Sequence, residues 1–345
     1  MEEVFKTLRL RVYPEDLESA TRRERIAKVS AILRSGGTVA LPTETVYGLG
    51  ANALDAAAVE KIFVAKERPH WDPLIVHVSD DAMLASVVSS VPERARLLME
   101  AFWPGPLTLL LPRSSALPLA VTAGRDLVGV RMPEHPVALA VIRAAGVPVA
   151  APSANRFGHV SPTTAEHVLA DLDGRIDAVV DGGPTRVGVE STVLSVGDGP
   201  AVLYRPGAIT VEQIEKIVGA VEVYRAPVTH AEPEALPSPG VGIRHYAPRA
   251  RIVLVASEAE LMRVASVDGR VGVMLPEGWA APAGAVTFAW GAWGDLAELA
   301  RRLFSGLREL DAAGVAVIAC PLPVAKNGGA ADALRDRLMK AAREK

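Results

Sequence analysis

Cysteine is nearly missing from this chain: Cys320 is the single thiol, which excludes an intrachain disulfide, a CxxC redox pair and a thiolate zinc cluster. Following the apolar stretch 315–319, it reads as a small core residue. No sign of charge dominates either. Against 37 Lys and Arg stand 40 Asp and Glu, a net charge of -3, so there is no polybasic footprint and any RNA contact is expected to be weak and local. No apolar run reaches the ~18 residues of a membrane-spanning helix. The stretch Met1-Glu2-Glu3-Val4-Phe5-Lys6 is charged where a signal peptide has its apolar centre, and the expectation is a soluble cytoplasmic protein without membrane contact. Several familiar catalytic loops are missing too: GxxxxGK(S/T), HExxH, the GxSxG elbow, the EF-hand loop, and any metal-type i,i+4 pair among the seven histidines.

What is present is enough for two domains, because 345 residues, half of them hydrophobic, exceed what a single core usually organises. Helical spacing over 22–35 leads into an apolar strand at 38–41, and Asp55 reads as the N-cap of a helix that ends near Arg68-Pro69. Strands are predicted at 74–78, 107–111, 127–132, 147–151, 176–180, 191–196 and 201–204, and helices at 92–102, 137–145 and 211–218. Ser161-Pro162-Thr163-Thr164 reads as a helix start with a hydroxyl cap and Pro at N1. The expected fold is α/β: an open twisted mixed sheet with helices over 1–222, a Pro-rich linker over 223–249, and a smaller Rossmann-like α/β domain over 250–345. The second half lacks the GxGxxG turn of a dinucleotide site.

The candidate site lies at strand ends. Pro42 to Gly50 gathers two threonine hydroxyls, a carboxylate and a phenol, and Gly48 and Gly50 would let a ligand approach the backbone; an ordinary Ser/Thr turn would look similar. Lys66 and Arg68 suit phosphate, although by default they read as complements to the dipole of a helix C-terminus. His77 within an apolar run reads by default as a satisfied sheet histidine. Arg131, in the apolar strand with Val128, Gly129 and Val130, needs an anionic partner: a carboxylate ligand, Glu44 or Glu190. Ser153, Asn155 and Ser191 add hydroxyls and an amide where strands converge.

These stretches occur in an order that resembles a known family. The order is Pro42-Thr43-Glu44-Thr45-Val46-Tyr47-Gly48-Leu49-Gly50, Lys66-x-Arg68-Pro69, Trp103-Pro104-Gly105-Pro106-Leu107-Thr108 and Ala151-Pro152-Ser153-Ala154-Asn155. Ser161-Pro162-Thr163, Glu190-Ser191-Thr192-Val193 and Arg205-Pro206-Gly207 follow. The chain resembles the YrdC-type threonylcarbamoyl-AMP synthases in their long form. Ser238-Pro239-Gly240, Arg244-His245-Tyr246-Ala247-Pro248 and the C-terminal Arg337-Leu338-x-Lys340-Ala341-Ala342 extend the likeness over nearly the whole chain. It departs from the family at Val241-Gly242-Ile243, where Met-Lys-Tyr is usual, at Asp336, where Asn is usual, and near Ser195, where an Asp is usual.

The resemblance implies synthesis of L-threonylcarbamoyl-adenylate and pyrophosphate from L-threonine, bicarbonate or CO2, and ATP with Mg2+. The product would pass to a separate tRNA threonylcarbamoyl transfer machinery. By the same resemblance Thr45, His77, Arg131 and Ser191 would bind L-threonine. Lys66, Arg68, Asp72, Ser153, Asn155, Ser161, Arg205 and Tyr246 would line the ATP site, with Lys66 and Arg68 stabilising developing charge, and the linker would fold over the opening. Two other classes compete. A carbamoyltransferase of the same domain type would carry further domains, with zinc fingers that one cysteine cannot build. An RNA-binding module would show a steep salt dependence.

Overall fold

The computed structural model describes residues 6–14, 19–197, 199–225, 235–238, 246–266, 270–324 and 329–343. Strand β1 (Leu8–Arg11) precedes helix α1 (Ala20–Arg34), capped by the Ser19 side chain. Strands β2 (Val39–Leu41) and β3 (Gly48–Asn52) flank the polar turn, and α2 (Ala56–Lys66) starts under Asp55, whose carboxylate accepts from Ala57 N and Ala58 N. Then come β4 (Ile75–His77), α3 (Asp81–Val87), α4 (Glu93–Phe102), β5 (Leu107–Pro112), α5 (Leu119–Thr122) and β6 (Leu127–Arg131). Helix α6 (Pro136–Ala145) begins with Pro at its first turn and ends on left-handed Gly146, which is the expected pairing of start and stop. Strand β7 (Val149–Ala150), α7 (Ala165–Leu172), β8 (Ala178–Asp181), β9 (Thr192–Ser195), β10 (Ala201–Arg205), α8 (Val211–Val218) and β11 (Val221–Val223) complete the first lobe.

Its eleven strands form one mixed sheet in the order β1-β8-β2-β3-β7-β4-β6-β5-β9-β10-β11. The second lobe holds β12 (Arg251–Val255), α9 (Glu258–Ala265), β13 (Val271–Pro276), β14 (Val286–Gly291), α10 (Leu296–Ala312), β15 (Val317–Pro321) and α11 (Ala330–Ala341). Its four strands are all parallel, ordered β12-β15-β13-β14. No helix among the described residues is long and apolar enough to cross a membrane.

Most expected elements are present, and the differences have local causes. Helix α7 begins at Ala165 with Thr164 as its cap, accepting from His167 N, so Ser161 is not a helix cap and Pro162 is not an N1 residue. The hydroxyl nearest the first apolar turn takes the cap, and Ser161 is left to bond elsewhere. Strand β3, Gly-Leu-Gly-Ala-Asn, lacks β-branched residues, and strand propensity does not mark it. It forms because β2 and β7 pair with it on either side, and a Cβ on Gly50 would come within 2.7 Å of Val149 Cγ1. Gly50 thus serves strand packing, while Gly48 faces the cavity described next.

Candidate active site

Strand periodicity puts the site on a face of the sheet. On β4, Ile75 and His77 point the same way while Val76 is buried in the core behind, and parallel pairing with β6 sets Arg131 directly opposite His77. Antiparallel β5 brings Thr108 alongside, and parallel β9 pairs Thr108 with Val193, which leaves Ser191, just ahead of β9, within hydrogen-bond distance of Thr108. The cavity therefore runs along β4 over the sheet instead of lying beyond its carboxyl ends as open parallel sheets would arrange it. The turn after β2 closes one side. It is clamped through Tyr47 N to Pro162 O (2.9 Å), Val187 N to Glu44 O (2.7 Å) and Gly188 N to Thr45 O (3.1 Å).

Thr45, Arg68, His77, Arg131, Ser153, Ser191, Arg205 and Tyr246 all line this one cavity. Asp72, Asn155, Ser161 and Lys66 stand behind its wall. The buried Lys66 ammonium donates to the backbone carbonyls of Ser153 and Asn155, so it orders that loop. Burial, then Arg68, lowers its pKa well below the ordinary lysine value. Asp72 fixes Arg68: their ion pair is 2.9 Å, and Arg68 also donates to Asp72 O (3.0 Å) and Pro73 O (2.8 Å). Asn155 Nδ2 holds Arg156 O (2.7 Å) and His159 O (2.9 Å). Ser161 donates to Glu190 Oε1 at 2.5 Å. Arg244 and His245 lie outside the described residues.

The anionic partner that Arg131 requires is Glu44. The two form a buried ion pair, and Arg131 also donates to Thr45 Oγ1 (2.9 Å) and Gly105 O (3.1 Å). Across the cavity Arg205 donates to Ser191 Oγ (3.1 Å) and Ser191 O (3.0 Å), and Ser191 Oγ meets Thr108 Oγ1 at 2.7 Å. Burial lowers the pKa of Arg68, opposed by Asp72, and of Arg205, opposed by Tyr246; a guanidinium nevertheless keeps its charge in a protein. An anion brought among these groups offsets the desolvation they bear. His77 differs from them: burial first, and Arg131 second, push it to about 3, so the imidazole is neutral. Its Nδ1 and Asn155 Oδ1 are buried without a hydrogen-bond partner among the described residues.

Tyr47, read as part of the polar turn, turns away and bonds Gly183 O (2.7 Å) and Gly182 N (3.2 Å). Three contributors escaped the sequence reading. Thr108 is the one polar residue of Leu-Thr-Leu-Leu-Leu, and that interruption was the signal available. Glu190 forms cavity wall, although sequence offered it only as a partner for Arg131. Arg337 of the second lobe reaches Glu190 from behind at 2.8 Å.

The fold and this cavity define a class: a mixed-sheet α/β enzyme whose cavity is lined by buried arginines and hydroxyls. Residues 31–207 match the family model described as telomere recombination, and residues 209–343 match that of the threonylcarbamoyl-AMP synthase C-terminal domain. A threonylcarbamoyl-AMP synthase of Bacillus subtilis is 46% identical over 94% of this chain and 95% of its own length. One of Pyrococcus abyssi is 43% identical over 86% and 89%. The crystal structure of P. abyssi Sua5 complexed with L-threonine superposes with a TM-score of 0.87 at 40% identity, covering 97% of both chains. The chain belongs to the threonylcarbamoyl-AMP synthase family.

Proposed function

We propose that this chain joins L-threonine, bicarbonate or CO2, and ATP into L-threonylcarbamoyl-adenylate with release of pyrophosphate. The observation that carries the reading is one cavity lined by three buried arginines, Arg68 paired with Asp72, Arg131 tied to Thr45 and Arg205 tied to Ser191, in a chain of this family. Arg131 takes the threonine carboxylate, with Thr45, His77 and Ser191 around the rest of the amino acid. Arg68 and Arg205 take phosphate charge, beside Ser153 and Tyr246. Lys66, Asp72, Asn155 and Ser161 hold those groups in place from behind.

The chemistry needs no side-chain nucleophile. The amine lone pair forms the bond to the CO2 carbon with loss of a proton, and a carbamate oxygen then bonds the α-phosphorus as the bond to pyrophosphate breaks. Such a transfer is mainly positioning and charge stabilisation. Only the neutral amine attacks CO2. A buried site favours that form, and a neutral His77 adds a hydrogen-bonding atom without adding charge to it. Among the described residues no group of His, Cys, Asp and Glu gathers that could hold a metal ion, and Mg2+ in this scheme arrives on the phosphates as part of the substrate.

Residues 223–249 serve as linker and cover between domains at 1–222 and 250–345. Supporting this, Leu236 N bonds Trp71 O (2.9 Å), Tyr246 lines the cavity, and Ala247 N bonds Gly158 O (2.9 Å). The departure at Val241-Gly242-Ile243 falls outside the described residues. A cover excludes water from a labile carbamate and adenylate, whose consumer would be a separate tRNA-modifying transferase in the cytoplasm. The test is pyrophosphate release with ATP and Mg2+, threonine and bicarbonate omitted in turn, with mass spectrometry for the adenylate. Release that requires both, with the matching mass, supports the reading; release from ATP alone, or none from folded protein, refutes it.

A further inference from the structure

The second lobe packs apolar residues against the cavity-lining Val46 and Tyr246, and it also sends a buried cation to the wall. Arg337 of α11 is 1% exposed and is among the largest fully buried side chains of the molecule. Its Nε donates to Glu190 Oε2 (2.8 Å), its Nη1 to Pro206 O (2.8 Å), and its guanidinium lies 5.5 Å from the centre of the Tyr246 ring. Glu190 and Pro206 are not arbitrary anchors. Glu190 directly precedes Ser191 and holds the Ser161 hydroxyl with its other oxygen, and Pro206 directly follows Arg205. One guanidinium thus ties both backbone segments that carry the Arg205–Ser191 contact.

The groups around it make an arginine, in particular, the fitting residue. Asp336 sits between Arg337 Nη1 (2.9 Å) and Lys340 Nζ (2.8 Å), so α11 delivers two cations and one anion into a seam that also holds Glu190 and Arg205. Burial alone would raise the Glu190 carboxyl, yet Arg337 and then Arg205 outweigh it and hold it below the usual carboxylate range. It stays an anion that accepts from Ser161 and Arg337 together. A lysine keeps the charge but has no planar fork to span a carboxylate and a carbonyl at once.

We propose that Arg337 is a positioning residue of the synthase site: acting through Glu190 and Pro206, it fixes Ser161 and Arg205 on the ATP side of the cavity, and with Arg205 the Ser191 that the threonine side shares. This rests on the proposed synthase reaction and assigns the second lobe a part in it. Arg337 does not line the cavity, and the structure gives it no bond to Thr45, His77 or Arg131, so among the described residues it meets the threonine side only by way of Ser191, next to Glu190 in the chain.

The test compares Arg337→Lys, Glu190→Gln and the double variant with wild-type full-length protein. Pyrophosphate release is measured against ATP and against threonine, together with melting temperature. Arg337→Lys is expected to lower kcat/KM for ATP by roughly tenfold or more and to leave the threonine KM within about twofold. Glu190→Gln should do the same, and the double variant should lose no more than about threefold beyond the worse single, because both act along one path. A merely structural role would lower both substrates' parameters together, in step with melting temperature, and that result overturns the proposal. So do unchanged ATP parameters in folded Arg337→Lys, and so do multiplying losses in the double variant. Wild-type protein that releases no threonine-dependent pyrophosphate overturns the synthase reading and takes this inference with it, whereas active wild type with indifferent variants overturns the inference alone.

Discussion

Replacing Arg131 tests the site most directly, because one side chain serves both the fold and the ligand. Arg131→Met removes the donors to Thr45 Oγ1 and Gly105 O and strands Glu44, which is 2% exposed and, among the described residues, then keeps only the 3.2 Å bond from Glu134 N. Breaking a buried ion pair by deleting one partner costs about 3–5 kcal/mol, and the remaining bond to Glu44 puts the expected loss toward the lower end. Losing the charge-assisted bonds to a threonine carboxylate costs about 1.5–3 kcal/mol, or roughly 10–150-fold in threonine affinity. The two losses separate in Arg131→Met/Glu44→Gln, where no buried charge is stranded and the glutamine oxygen can still accept from Glu134 N. The assays are melting temperature, threonine calorimetry, and pyrophosphate release with each substrate varied. The single variant should melt lower and need far more threonine, with the ATP KM within about threefold; the double variant should regain melting temperature and keep the threonine defect. If the double variant recovers wild-type threonine affinity, Arg131 is only the counter-ion of Glu44, and its role toward the substrate is refuted.

Other substitutions give contrasting outcomes. Lys66→Met and Arg68→Ala should impair ATP use or turnover far more than threonine affinity, read as separate KM values, because one orders the 153–155 loop and the other faces the cavity beside Asp72. Gly188 has φ +82, and a Cβ there would lie 2.3 Å from Arg301 Cα on α10; Gly188→Ala should therefore push the lobes apart and destabilise the protein by about 1–3 kcal/mol in urea unfolding. His77 at about 3 and His135 and His167 at about 4, all lowered chiefly by burial, fall below the ordinary 6.5. Between those values and 6.5 the unfolded chain binds more protons, so this stability is fully present above about 6.5 and is lost as pH falls toward 4 and then 3. Urea midpoints measured across that range should drop with pH, and His77→Gln should flatten part of the slope.

The fold was legible wherever local chemistry and tertiary need agree. Asp55 is followed at once by a helix, the Pro136 and Gly146 pair brackets α6, and apolar 107–111 is a strand, because each is specified within a few residues. Strand β3 was not legible, since only its neighbours on both sides make a strand of Gly-Leu-Gly-Ala-Asn. The site divides the same way. Arg131 could be singled out because a charge in an apolar strand demands a partner, yet sequence could not choose between Glu44 and Glu190.

That choice is made by register. Glu44 lies in the turn whose Thr45 Arg131 also bonds, whereas Glu190 is claimed on one oxygen by Ser161 and on the other by Arg337, 147 residues further along the chain. No spacing rule links residues so far apart. The Ser161 error has the same origin: its hydroxyl reads as a helix cap only while the carboxylate that accepts from it is unknown. In both cases a buried polar group is satisfied by a residue distant in the chain, and for Glu190 also from the other lobe, so the local pattern names the need without naming the partner. The second lobe is thus written into the first as unsatisfied chemistry at Glu190, which makes separation of the two lobes a chemical loss at the cavity wall as well as a loss of packing.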